Sequence, residues 1–163
     1  MEFLKELDYQ VWAEKKFFNL ISSIDESKWT KEISESNKSL KSVYIHKLEV
    51  MWFWFSLCKV KDLRKLGEPP NFESMSKENL IKQYLFLFLE MKDYAENCNE
   101  KMSLNLNWVK KPYETTTHEI IYNVLNHHTY HRGQIAMLLK QLGLDVPETD
   151  YNPYMFELNE LYE

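Results

Sequence analysis

Apolar residues recur at alternating spacings of three and four along four stretches of the chain, which is the pattern of amphipathic α-helices. In the first stretch the pattern runs through Leu4, Leu7, Val11, Phe18 and Ile21. Only three glycines and five prolines punctuate the whole sequence, so long uninterrupted helices are expected. The pattern predicts an all-α protein with helices at residues 3–24, 39–60, 76–98 and 116–142.

Residues that typically end helices stand where the apolar patterns begin and stop. Ser76 is placed to cap the third helix, and Thr116 with Glu119 forms the Thr-x-x-Glu capping box of the fourth. Gly143 follows the last apolar position of that helix, as a C-cap glycine does. The remaining sequence indicates an extended SLNLNWV stretch at residues 103–109 and a short final helix capped by Thr149 or Asp150.

Composition and charge narrow the class of protein. Hydrophobic residues make up 44% of the chain and aromatic residues 15%, enough for one globular domain over residues 1–163. The net charge of −5, without a long run of Lys and Arg, disfavours nucleic acid as a partner. The most apolar run, VMWFWFSLCKV, is too short to cross a membrane, and the N-terminus lacks the pattern of a signal peptide. Cys58 and Cys98 form no CxxC pair and are interpreted as small buried hydrophobic residues of a cytoplasmic protein.

Three of the five histidines occupy apolar stripes. His127 and His131 are four residues apart, so they share a face of the fourth helix, and His46 completes the stripe of the second helix. Three neutral imidazoles from two helices suit Zn, Ni, Cu or Fe and leave coordination positions open. His128 lies about 100° around the helix from His127, and His118 lies in the capping turn. For these two we favour solvent exposure or support of a ligand.

Two known metal motifs are excluded by spacing. The HExxH motif of metalloproteases needs a Glu after its first His, but His128 follows His127 and the fifth residue from His118 is Tyr122. Di-iron bundles use Glu-x-x-His, and no Glu stands three residues before any of the three stripe histidines. One mononuclear site is therefore expected.

Other residues around this pattern have weaker interpretations. Gly133, inside a helix, predicts a close approach of another helix or a ligand, and Arg132 is interpreted as a surface residue bonded to residues 145–153 in preference to a substrate contact. The aromatic residues Trp52, Phe53, Trp54 and Trp12 are expected in the core. Further candidates for orienting a ligand or lining a pocket are Tyr9, Trp12, Glu49, Asn126, His128, Arg132 and Asp150.

With these residues the chain resembles the DinB/YfiT-like superfamily of metal-binding four-helix bundles. The resemblance covers most of the sequence: YQVWAEKKFF, SLKSVYIHKLEVMWFW, NHHTYHRGQI and LGLDVPETDY. It implies an up-down-down-up four-helix bundle that forms a homodimer, and it implies His46, His127 and His131 as the ligands of zinc or nickel, with iron as an alternative.

The resemblance also implies an activity, although many members of the superfamily have none known. Its characterised enzymes are mostly transferases and isomerases that depend on a low-molecular-weight thiol such as bacillithiol. The chain is therefore expected to be a metal-dependent thiol S-transferase whose partners are a small thiol and an electrophile, with no catalytic residue beyond the metal site. The alternatives, a non-catalytic metal-binding protein of the stress or damage response and a metal-dependent hydrolase, remain open.

Overall fold

The helices predicted from the apolar pattern are present in the computed structural model, which describes residues 2–33 and 38–161. In chain order they are α1 (Glu2–Ser22), α2 (Glu26–Trp29), α3 (Leu40–Val60), α4 (Lys77–Asn97), α5 (Thr117–Gln141) and α6 (Tyr151–Leu158). Each long helix begins and ends within two residues of its predicted bounds. Two strands, β1 (Lys101–Leu104) and β2 (Tyr113–Thr116), form an antiparallel hairpin. The stretch expected to be extended overlaps the end of β1, whereas β2 was not predicted.

The predicted helix ends are confirmed by their hydrogen bonds. The backbone N–H of Glu119 donates to Thr116 Oγ1 at 3.2 Å, and the N–H of Thr116 donates to Glu119 Oε2 at 2.8 Å. This reciprocal pair is the capping box of α5. Ser76 Oγ accepts from the N–H of Asn79 at 3.3 Å, and Gly143 ends α5 with a φ of 71°, in the left-handed region that glycine adopts without strain.

One of the two compact units of the chain comprises residues 1–43 and 129–163, with α1, α2, α6, the start of α3 and the end of α5. Within it α1 packs on α6 through a hydrophobic cluster of Tyr9, Ala13 and Tyr154. Trp12 lies partly buried beside this cluster and donates from Nε1 to Glu157 Oε2 at 2.6 Å. Its predicted place in the core is therefore wrong, because the indole stays at the edge, where its N–H reaches a carboxylate.

The other unit comprises residues 44–128, which include most of α3, α4, the hairpin and the start of α5. One cluster of its core contains Leu57, Cys58, Met102, Leu104, Leu106 and Ile120. Cys58 is buried as predicted, whereas Cys98 is only partly buried, because it caps the end of α4. In the described part of the chain, no helix has the length and apolarity needed to cross a membrane.

The buried face of α3 differs from the predicted one. The fully buried side chains of α3 include Lys47, Leu48, Met51, Phe55, Leu57 and Cys58, while Trp52, Phe53 and Trp54 are only partly buried. The prediction was wrong for these three aromatic residues because α3 is apolar on nearly every side, so its spacing does not show which stripe faces the core.

The predicted close packing at Gly133 is also wrong. Gly133 is exposed, and a Cβ atom built on it would meet no atom within 4 Å. Gly133 therefore lowers the stability of α5, and no neighbouring atom comes so close that a glycine is required there.

Replacing Gly133 by alanine is expected to raise the free energy of unfolding by about 1 kcal/mol, because alanine loses less backbone entropy in a helix. Urea denaturation would measure the change. Gly143→Ala is the matched control: its φ of 71° lies in the left-handed region, so this variant should be destabilised. A Gly133→Ala protein that is no more stable than the parent would contradict the expectation.

Candidate metal site

Three histidines that the sequence singled out come together in space. The candidate ligand nitrogens of His46, His127 and His131 all lie within 4.8 Å of one another. Two nitrogens bound to one ion at about 2.1 Å lie roughly 3.4 Å apart in tetrahedral geometry, so side-chain adjustments of about 1 Å are enough for all three to bind. The arrangement could hold one divalent transition-metal ion.

The three histidines differ in exposure. His46 is exposed, His127 is partly buried and His131 is buried at 5% exposure. The prediction that His46 lies on the core stripe of α3 is therefore wrong, since the neighbouring Lys47 and Leu48 are the buried residues. This rotation leaves His46 at the solvent side of the group, where small molecules can reach it.

His131 is oriented by a residue one turn further along α5. Its Nδ1 lies 2.8 Å from Gln134 Oε1. Because an amide oxygen only accepts hydrogen bonds, Nδ1 donates its proton to this contact, and Nε2 would then carry the lone pair available to a metal. The sequence had suggested Glu49, Asn126 and Asp150 for such support, yet all three are exposed. The i, i+3 spacing of His131 and Gln134 was the signal that could have identified this pair.

His127 provides the clearest fit to a cation. Its ring lies 5.2 Å from that of His46, with an interplanar angle of 61°, and 6.4 Å from that of His128. The Nε2 atom of His127 is buried and makes no hydrogen bond with the described residues. A buried imidazole nitrogen without a hydrogen bond is costly, and coordination of an ion would satisfy it.

The other two histidines lie outside this group. His128 is fully buried, with Nδ1 at 3.1 Å from the hydroxyl of Tyr84 and its ring against Phe88, so the expectation of solvent exposure is wrong for it. His118 lies at the start of α5, where its Nε2 is 3.1 Å from the carbonyl oxygen of Ala95. Both histidines therefore hold helices together.

Arg132 is buried, contrary to its interpretation as a surface residue. Its Nη1 donates to Gln10 Oε1 at 2.7 Å and its Nη2 to the hydroxyl of Tyr9 at 3.0 Å. Glu14, which is fully buried, lies 3.7 Å from Nη1. The predicted link to residues 145–153 exists only through Tyr9, whose hydroxyl donates to the Thr149 carbonyl oxygen at 2.7 Å. The sequence did not single out Gln10 or Glu14, although they lie four residues apart on α1.

Tyr9 and Trp12 were predicted to line a pocket. In the structure both pack against α6, with the Tyr9 ring 5.7 Å from that of Tyr154. Burial raises the pKa of Tyr9, while the charge of the nearby Arg132 acts in the opposite direction. The neutral phenol is therefore kept as a hydrogen-bond donor within the unit, and a role as a pocket wall stays a prediction.

Cys58 does not have the properties of an activated nucleophile. Burial raises the pKa of the Cys58 thiol above its usual value, which disfavours the reactive thiolate. Cys98 Sγ lies 3.8 Å from Thr117 Oγ1, and the same cluster raises the pKa of Tyr94 to about 12, mainly through burial.

Comparisons with known proteins agree with this fold. The model of the DinB family matches residues 2–160. The chain is 30% identical to Protein DinB of Bacillus subtilis over 161 residues, which cover 93% of this chain and 92% of that protein.

Two solved structures resemble the chain in fold. A DinB-like protein from Bacillus subtilis has a TM-score of 0.65 at 12% identity, covering 90% of this chain and 98% of its own. A protein described as a candidate member of the DinB family, from Exiguobacterium sibiricum, has a TM-score of 0.61 at 16% identity, covering 91% and 97%. These likenesses confirm the predicted all-α helical bundle, and on the family match the chain belongs to the DinB family.

Proposed function

We propose that this protein is a metal-dependent enzyme that joins a low-molecular-weight thiol to an electrophile. The observation that carries the proposal is the convergence of His46, His127 and His131 with the first of them exposed. Among the described residues this group contains three possible protein ligands. A structural ion is usually closed by four protein ligands, whereas a catalytic site keeps one position for water or substrate.

The residues of the site have distinct roles in this proposal. A bound divalent cation would supply positive charge that lowers the pKa of a thiol and favours its thiolate. Three neutral imidazoles leave that charge undiminished, unlike carboxylate or cysteine ligands. Gln134 holds the ring of His131 in the required protonation state, and the exposure of His46 allows the thiol and the electrophile to approach from solvent. Zinc and nickel are the proposed metals, with iron as an alternative.

Conjugation of a thiol to 1-chloro-2,4-dinitrobenzene tests the proposal. The expected result is a rate above that of buffer that requires both the metal and the thiol, with cysteine, glutathione and bacillithiol compared as thiols. His127→Ala should lose this rate, because it removes a ligand. His118→Ala should keep it, because His118 bonds to the end of α4.

The control reactions distinguish the alternatives. If the metal-loaded protein is no faster than buffer with any of the thiols, a non-catalytic metal-binding function in stress or damage response should replace the proposal. Metal-dependent turnover of ester or amide substrates without a thiol would instead indicate a hydrolase. The homodimer and the cytoplasmic location stay predictions, and light scattering after size-exclusion chromatography would test the dimer.

A further inference from the structure

A cleft of about 210 Å³ lies in the unit of residues 44–128, and the residues that line it do not include the three histidines. Its walls come from α3, from the segment between β1 and β2 with the start of β2, and from α5. The lining residues include Trp54, Trp108, Val109, Tyr113, Ile120 and Asn123. None of these side chains is charged, and Asn123 is the one that carries an amide.

The segment between the strands and the first residue of β2 expose apolar side chains at this cleft. Trp108 is 59% exposed, Val109 43% and Tyr113 39%. Large apolar side chains gathered in one exposed place usually mark a binding site, because their hydration is unfavourable. The ring of Trp108 lies 6.5 Å from that of Trp54 at 87° and 6.0 Å from that of Phe53 at 47°. Indole rings at right angles offer both a face and an edge to an aromatic guest.

The cleft lies on the same two helices as two of the histidines. The rings of His46 and His127 are in contact, and Trp54 and Ile120 share the cleft, so α3 and α5 run antiparallel within this unit. Asn123 precedes His127 by one turn, about 6 Å along α5, and Trp54 follows His46 by eight residues, about 12 Å along α3. A molecule with one end at these histidines could therefore reach the cleft with its other end.

We propose that this cleft binds a neutral aromatic group of a small molecule. This part of the inference rests on the proposed function. The aromatic group is then one end of the electrophile, and about 6–12 Å separate it from the reacting carbon. The volume of the cleft is enough for one aromatic ring with a substituent, since an apolar cavity of about 150 Å³ holds benzene. The absence of charged lining residues favours a neutral group, and Asn123 can hydrogen-bond one polar substituent.

Binding is tested first without any reaction. Calorimetric titration of 4-phenylbutanol into metal-free and metal-loaded protein should show saturable binding. Trp108→Ala should weaken it by about 10-fold, because one ring-to-ring contact and its buried area are lost. Trp108→Phe, which keeps a ring, should weaken it by less than about 3-fold. Phe86→Ala is the matched control, since Phe86 is 54% exposed on α4 and does not line the cleft.

Reaction is tested second, by comparing 4-phenylbutyl bromide with butyl bromide in the conjugation assay. The sulfur–carbon bond forms, the carbon–bromine bond breaks, bromide leaves with the electron pair, and the thiol proton passes to buffer. We expect kcat/KM to favour the aromatic substrate by about 10-fold in the parent protein, and by much less in Trp108→Ala.

The two experiments can fail separately. Saturable binding that Trp108→Ala weakens, with no conjugation of either bromide or of 1-chloro-2,4-dinitrobenzene, supports the cleft and overturns the proposed function. Conjugation with equal kcat/KM for both bromides, or binding that Trp108→Ala and Phe86→Ala weaken equally, overturns the cleft. No binding of 4-phenylbutanol to either form of the protein also overturns it.

Discussion

Replacing His46, His127 or His131 by alanine is expected to lower the affinity for zinc or nickel by at least about 100-fold. Each change removes one of three nitrogens that lie within 4.8 Å of one another. Losing a residue that only supports a ligand typically lowers metal affinity about 10- to 100-fold, and losing the ligand itself should lower it more. Competition against a chromogenic chelator at one pH above about 7 would measure it, because free imidazole is then mostly neutral. Gln134→Ala should show the smaller effect, about 10- to 100-fold, since it only orients His131.

The other two histidines are the controls for this experiment. His118→Ala should bind metal as the parent does. His128→Ala should also bind metal but unfold more easily, because it removes a fully buried ring held by Tyr84. Full retention of metal by His46→Ala, or a loss in His128→Ala as large as in His127→Ala, would show that the ligand set is assigned wrongly.

The predictions that held depended on local sequence. The capping box of Thr116 and Glu119 involves residues three apart, and the C-cap of Gly143 needs only its own φ of 71°. The shared face of His127 and His131 follows from helix geometry alone. Such features need no knowledge of what packs against the helix, so one sequence is enough to predict them.

The predictions that failed depended on contacts between distant parts of the chain. Arg132 is buried because Tyr9 and Gln10, more than 120 residues away, accept its hydrogen bonds. Nothing in the residues around Arg132 indicates those partners. His46 was predicted on the wrong side of α3 because apolar residues surround that helix, and only the tertiary packing selects the buried stripe.

Replacing Arg132 by alanine is expected to lower the free energy of unfolding by about 3–5 kcal/mol, the usual cost of removing one partner of a buried ion pair. The side chain of Arg132 is 6% exposed and that of Glu14 is fully buried, so water cannot replace the guanidinium easily. Arg132 also donates to Gln10 and Tyr9, whose oxygens would each lose a hydrogen bond. Urea denaturation of the metal-free protein would measure the change apart from any effect of metal binding.

Arg64→Ala is the matched control, because it removes the same side chain from an ion pair at the surface. The side chain of Arg64 is 89% exposed and pairs with Asp62 two residues away, so its loss should leave the urea midpoint unchanged. Arg132→Lys should recover only part of the stability, since an ammonium group cannot reproduce the planar fork that reaches Gln10 and Tyr9 together. Equal midpoints for Arg132→Ala and Arg64→Ala would show that the buried contacts of Arg132 do not stabilise the fold.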